Sequence, residues 1–456
     1  MTKRRFIRGL VYTSLLAVAL SIANKSFTYF PELQRIKRDA LPFLNLNATY
    51  DIPNVREKEQ ITQQSRLEVT DSRQDLEDKI SELFIITRKN FAKPIPGGIL
   101  LNKNDTRRGQ LFGRFDSYDP TKTQKSVESI SNRSSETGKR ILIYDEGEGG
   151  YVLRIGTLPS AEDIGNYLTN NVLGKTLSHI LTPEPQIDKR RKTVQRLLDN
   201  HARDLALQGI DVVFSPVLDV SSELSEDNLI RKNKRSFSSS YPTVLDIATM
   251  YIDALHNNGI KTCGKHFLNA GLPEGGDVHM SEVDYSKRIS PKLRSGNLYR
   301  KLASVLDAVI VTHIRNPSDS RPFTLSNRAI EYLTNPKYNN GRFKGLDFDG
   351  LVISDDLSMK GLTSFVETAK LTPRDRYLTQ DCTTVEAKAA VLALDAGVHS
   401  MILCTAQLSP IINGIKTAYY NDTIFAGKVD KAVEKYRRFA EKWTQLWKVY
   451  RESAKY

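Results

Sequence analysis

What most constrains the fold of this chain is an alternation: short β-branched runs separated by segments of helical spacing. The runs cover 98–101 (GILL), 140–144 (RILIY), 211–217 (DVVFSPV), 260–267 (IKTCGKHF), 307–314 (DAVIVTHI), 350–353 and 399–404 (HSMILC). Between them, Val194, Leu197, Leu198, His201 and Leu205 share one helix face that Gly209 ends. Pro242 opens another helix, which carries Leu245, Met250 and Leu255 and closes at Gly259, and Gly397 stops a third over 387–395. Strand followed by helix, many times over, predicts a parallel sheet with helical crossovers. Seven runs, with an eighth hidden within 76–87, predict an α/β fold of the (β/α)8 TIM-barrel type in a single catalytic domain. A Rossmann sheet is disfavoured, because no glycine-rich phosphate fingerprint follows the first run.

The flanks divide the 456 residues into a signal peptide or membrane anchor (1–25), a polar tether (26–74) and the barrel (75–456). MTKRRFIR is basic, and the apolar run 10–23 behind it has the length of a signal-peptide core and is short for a membrane span. Either it is cleaved near Ala23 or it stays as an anchor. Both outcomes predict an exported protein, periplasmic or extracellular, with membrane association through residues 10–23 in the second case. Much of the net charge of +13 sits at the two ends, and it accompanies no nucleic-acid-binding motif, so no nucleic-acid partner is expected. Cys263, Cys382 and Cys404 are too scattered for a disulfide framework or a zinc site, and no metal or other cofactor is expected. Cys263 and Cys404 lie in strand-like runs and read as small buried hydrophobes. Val429, Val433, Tyr436, Ala440, Trp443, Trp447 and Tyr450 form an amphipathic helix that should pack on the barrel.

Barrels of this type place chemistry at the carboxyl ends of their strands. At the ends of the runs or just past them lie Asp145 and Glu146, Asp219, Lys265 and His266, His313 and Arg315, then Asp355 and Asp356. A rim of both signs suits a polyhydroxylated or anionic small substrate. Asp356, next to Asp355, should hydrogen-bond backbone or a basic neighbour, and Asp219 could as well brace a loop as meet substrate. The loop after the fourth run, GLPEGGDVHMSEVDY, contains Asp277 and His279 at i and i+2, which point the same way in an extended segment. The carboxylate can then orient the imidazole for proton transfer near neutral pH. On spacing alone the signal is weak, and a solvated loop is the better explanation of the pair.

Taken together, these motifs resemble the single-domain bacterial β-N-acetylglucosaminidases of glycoside hydrolase family 3. DEGEGGYVLR is similar to DQEGGRVQR and FSPVLDV to FAPVLDV; RSF, GKHF, Asp277-Val278-His279, VTHIRNPSDSRPFTLS, FDGLVISDDLSM and LDAGVHSMILC follow in the family's order. The resemblance implies a retaining, exo-acting enzyme that releases terminal N-acetylglucosamine from peptidoglycan or chitin-like fragments through a covalent glycosyl-aspartate. Asp355 matches the nucleophile, and His279, oriented by Asp277, the general acid/base. Asp145, Arg154, Arg235, Lys265 and His266 match substrate-binding residues. Two departures stand out. KHFLNAG replaces KHFPGHG, and DEGEGG has one residue more than DQEGG, which leaves Asp145 or Glu146 as the sugar-contacting acid, with Asp145 preferred. The stretches 102–139 and 362–384 are longer than the family's. A β-glucosidase or β-xylosidase of the same family is the alternative enzyme, and an inactive cell-wall sugar-binding barrel the alternative from another class.

Overall fold

The computed structural model describes residues 73–87, 96–101, 110–111, 114–115, 119–169, 185–271, 294–316, 318–339, 344–369, 371–404 and 407–441. Residues 1–25, nearly all of the expected tether, and the loop containing Asp277 and His279 lie outside them.

Eight parallel strands close into a barrel: β1 (Phe84–Thr87), β2 (Gly98–Leu100), β3 (Leu142–Asp145), β4 (Val212–Val213), β5 (Lys261–Phe267), β6 (Ala308–Val311), β7 (Leu351–Ser354) and β8 (Ser400–Leu403). Each pairs with its sequence neighbours, and β1 pairs with β8 through Phe84↔Met401 to shut the ring. All seven expected runs supply a strand, and the hidden eighth is FIIT at 84–87. Seven of the strands are buried along their whole length, as β-branched runs covered on both sides should be, and β1 is buried except at Thr87.

The segments before, between and after the strands are largely helical. They include α1 (Arg73–Ser81), α2 (Pro120–Thr137), α3 (Ala161–Thr169), α4 (Pro185–Leu207), α5 (Tyr241–Asn257), α6 (Arg294–Leu302), α7 (Asn327–Thr334), α8 (Lys360–Thr368), α9 (Pro373–Thr379), α10 (Val385–Ala396), α11 (Leu408–Asn421) and α12 (Thr423–Glu441). Val194, Leu198 and Leu205 of α4 are fully buried, and Gly397 caps α10 at φ 104°. The long stretch 102–139 is in good part α2, the crossover between β2 and β3. Its buried face, Thr123, Ser126, Val127 and Ile130, is half polar, so its periodicity is faint in the sequence.

On α12, Val429, Val433, Tyr436 and Ala440 face inward as the spacing predicts, and the Tyr436 hydroxyl donates to the carbonyl of Gly97 at the amino end of β2. This helix therefore closes the end of the barrel opposite the rim; Trp443, Trp447 and Tyr450 lie outside the described residues. Cys263 is buried, whereas Cys404 is only partly so, because it stands just past β8 at the barrel mouth. No helix among the described residues is long and apolar enough to cross a membrane.

Candidate active site

Asp145, Lys265, His266 and Asp355 stand at or just beyond the carboxyl ends of strands of the closed barrel, while Arg154 and Arg235 come from the longer segments that follow β3 and β4. Asp145 ends β3, Lys265 and His266 lie in the last turn of β5, His313 follows β6, and Asp355 follows β7.

On the β3–β5 side the loop Asp145-Glu-Gly-Glu-Gly-Gly coils tightly. Gly147 has φ 56° and Gly149 φ 89°, and a Cβ on Gly149 would lie 2.0 Å from the Pro159 carbonyl oxygen, so neither position accepts a side chain. The coil turns Glu146 and Glu148 toward the same ammonium: Lys265 Nζ lies 2.5 Å from Glu146 Oε2 and 2.6 Å from Glu148 Oε1. Arg235 donates to Glu148 through Nε (2.6 Å) and Nη2 (2.7 Å), a bidentate pair. With side chains only 1% exposed for Glu148 and 11% for Arg235, this is a buried ion pair and not a surface salt bridge. Burial alone would raise the Glu148 carboxyl, but Arg235 and Lys265 overcome it and hold the group well below the usual carboxylate range. Burial likewise works against the Lys265 ammonium, and Glu146 and Glu148 more than offset it, so its pKa is raised.

Asp145 is fully buried at the floor of this side, with Oδ2 accepting from the Gly147 amide at 2.9 Å. Burial pushes its carboxyl up to about 7 against the opposing pull of Arg154. Its Oδ1 and the Nε of Arg154 are both buried without a hydrogen-bond partner among the described residues. Orphans of this kind cost about 1–3 kcal/mol each unless a ligand satisfies them.

Asp219 is a brace. One oxygen accepts from His266 Nδ1 (2.7 Å) and the His266 amide (3.2 Å), and the other from the Ala270 amide (2.7 Å). It therefore fixes the ring of His266, leaving Nε2 as the nitrogen that can meet a ligand, and it ties down the start of the segment leading to Asp277 and His279. Peptides Lys265–His266 and Phe267–Leu268 are cis.

On the β7 side, Asp355 Oδ1 accepts from the Asp356 amide at 2.9 Å. Asp356 Oδ1 accepts from the Ser358 amide (3.1 Å), the Ser358 hydroxyl (2.8 Å) and the Cys404 amide (3.2 Å), so this second acid bonds backbone as its neighbour position implied. His313, wholly buried, bridges Thr324 Oγ1 (2.8 Å) and the Asp356 carbonyl oxygen (3.0 Å). Arg315 stacks over the Phe365 ring of α8 at 5.1 Å, and Arg321 pairs with Asp375 of α9 at 3.0 Å. The long stretch 362–384 thus buttresses the loop after β6.

The sequence did not single out Glu148, the residue that joins Arg235 to Lys265. A signal was there: an acid flanked by glycines two positions beyond Glu146, in register with two cations that themselves stood out. Among the described residues, no group of three or more His, Cys, Asp or Glu side chains could hold a metal ion.

The mouth so built has clear relatives. A family model described as "Glycosyl hydrolase family 3 N terminal domain" matches residues 75–438. The beta-hexosaminidase of Haemophilus influenzae is 28% identical over 366 residues, spanning 77% of this chain and 85% of that protein. That of Mannheimia succiniciproducens is 25% identical over 387 residues, 82% of this chain and 92% of the other. Among solved structures, a family 3 glycosyl hydrolase from Mycobacterium smegmatis superposes with TM-score 0.55 at 22% identity, covering 80% of this chain and 96% of its own. A beta-N-acetylhexosaminidase from Beutenbergia cavernae gives TM-score 0.57 at 19% identity, covering 80% and 98%. At such identity these two structures speak for the barrel alone, while the family match, over most of the chain, speaks for descent: the chain belongs to glycosyl hydrolase family 3.

Proposed function

We propose that this protein is a retaining, exo-acting β-N-acetylglucosaminidase that removes terminal N-acetylglucosamine from peptidoglycan or chitin-like fragments. The observation that carries the reading is the pair of buried orphans, Asp145 Oδ1 and Arg154 Nε, in a mouth that also presents Asp355. A sugar hydroxyl donates to the first and accepts from the second, so the terminal ring satisfies both. The relatives named beta-hexosaminidase support an amino sugar at that position.

In this mechanism the Asp355 carboxylate attacks the anomeric carbon while His279, held by Asp277, protonates the departing glycosidic oxygen. The glycosyl-aspartate ester is then hydrolysed by a water that His279 deprotonates. The Asp356 amide, donating to Asp355 Oδ1, helps fix the orientation of the attacking carboxylate. Lys265, Arg235 and His266 Nε2 grip the hydroxyls and the N-acetyl group. No step calls for a metal. The basic start and the apolar run 10–23 support export, with the barrel in the periplasm or outside the cell.

The test is hydrolysis of an aryl β-N-acetylglucosaminide against the matching β-glucoside, with Asp355→Ala and His279→Ala alongside. Preference for the N-acetylglucosaminide, abolished in Asp355→Ala, is expected. Equal rates for wild type and Asp355→Ala would overturn the mechanism. Faster glucoside cleavage would keep the mechanism and replace the substrate, an outcome that KHFLNAG in place of KHFPGHG makes worth measuring.

A further inference from the structure

The loop after β3 has one residue more than the motif it resembles, and with it comes a second acid on Lys265. The backbone there is fixed: the Ser215 hydroxyl donates to the carbonyls of Glu146 and Gly147, each at 3.2 Å, and the Tyr251 hydroxyl donates to that of Gly147 at 2.6 Å. The Glu146 side chain is fixed in turn through Oε2, 2.5 Å from Lys265 Nζ. Within this charge cluster exposure is uneven. Glu148, Lys265 and Arg235 keep 1%, 4% and 11% of their side-chain surface, and Glu146 keeps 20%. Glu148 spends both oxygens on Arg235 and Lys265, whereas Glu146 Oε1 takes no hydrogen bond among the described residues.

Charge counting gives the consequence. Two cations against Glu148 alone would leave a net ammonium at the mouth. With Glu146 the cluster is neutral, and its solvent-facing atom is a carboxylate oxygen.

We propose that Glu146 is a specificity-determining residue that converts this side of the mouth from a hydrogen-bond donor into an acceptor. Its Oε1 receives the hydrogen of one ring hydroxyl of the terminal neutral amino sugar, in addition to the contacts of Asp145. This deepens the glycosidase reading and rests on it. A hydroxyl meeting a fixed, charge-compensated carboxylate forms a stronger bond than one meeting a neutral acceptor, and a substrate that lacks that hydroxyl leaves the carboxylate desolvated and unpaired.

The experiment is a cycle between protein and substrate. Steady-state rates are measured for wild type, Glu146→Gln and Glu146→Ala on aryl β-N-acetylglucosaminide and on its 3-, 4- and 6-deoxy analogues. Glu146→Ala should raise KM about ten- to hundredfold while kcat falls much less, and Glu146→Gln, which keeps a neutral acceptor, should recover part of the loss. Wild type should discriminate strongly against one deoxy analogue, and Glu146→Ala should not. An unchanged KM, or one uniform loss across parent and all three analogues, would overturn the assignment and leave Glu146 a mere buttress of Lys265. If wild type cleaves glucosides and not N-acetylglucosaminides, the substrate reading fails on its own. The same cycle on deoxyglucosides then decides for or against Glu146.

Discussion

The two sides of the barrel mouth hold their acids by opposite means. On the β3–β5 side, Glu146 and Glu148 are held by the side chains of Lys265 and Arg235. On the β7 side, Asp355 and Asp356 are held by backbone amides, those of Asp356, Ser358 and Cys404. A carboxylate gripped by a guanidinium has both its position and its charge accounted for, so it serves as architecture. An amide positions a carboxylate without adding a formal countercharge of its own, which suits the nucleophile role proposed for Asp355. On the proposed mechanism, the cation-held side should concentrate stability and the amide-held side reactivity.

Substitutions should separate the two. The largest effect belongs to Asp355→Ala, which should lower kcat/KM at least about a thousandfold while shifting the melting temperature little. Glu148→Gln should do the reverse in kind. It leaves Arg235 and Lys265 buried with too little countercharge, a situation that costs about 3–5 kcal/mol, and denaturant midpoints should fall accordingly. Retention of wild-type stability by Glu148→Gln would dissolve the distinction.

Asp145 sharpens the comparison, since it stands on the cation-held side yet has an unsatisfied oxygen. Its carboxyl is raised from an ordinary value near 3.8 to about 7 by burial. The folded state therefore binds this proton more tightly than the unfolded chain does. That stabilisation is fully present below pH 3.8 and is lost as pH rises through about 7. Asp145→Asn cannot ionise, so above pH 7 it should be more stable than wild type by roughly 2–4 kcal/mol, a gain that fades toward pH 4. The same variant should lose substrate affinity. Equal stability of the two proteins at pH 8, read by thermal melting, would show that Asp145 is not strained by its ionisation.

How legible this was depended on the kind of interaction involved. Seven of the eight strands could be read because apolar runs buried on both faces leave an unbroken signature, and reading the ends of those runs and the residues just past them reached Asp145, Lys265, His266 and Asp355 directly. FIIT at 84–87 was only bracketed, since four residues offer too little pattern against its helical surroundings. The helix α2 leaves little trace in the sequence because Thr123 and Ser126 fill half of its buried face. Glu148 was passed over because its importance comes from Arg235, 87 residues away, and from glycines whose positive φ turns it inward. Local sequence carries strand and rim. It does not carry which acid of a glycine-rich loop faces the core.

The smallest effect is expected on the amide-held side, at Ser358→Ala. Asp356 Oδ1 accepts from the Ser358 hydroxyl at 2.8 Å, and also from two backbone amides that no side-chain substitution removes. Losing one of three donors to a carboxylate that stays solvated in part should cost about 0.5–1.5 kcal/mol. Because the amides still hold Asp356, and the Asp356 amide still holds Asp355, kcat should fall no more than a few-fold. Backbone-held acids are thus buffered against side-chain mutation, while Glu148, held only by side chains, is not. If urea unfolding showed Ser358→Ala to be as damaging as Glu148→Gln, the hydroxyl would be the true anchor of the β7 side, and the contrast between amide-held and cation-held acids would fail at the residue chosen to test it.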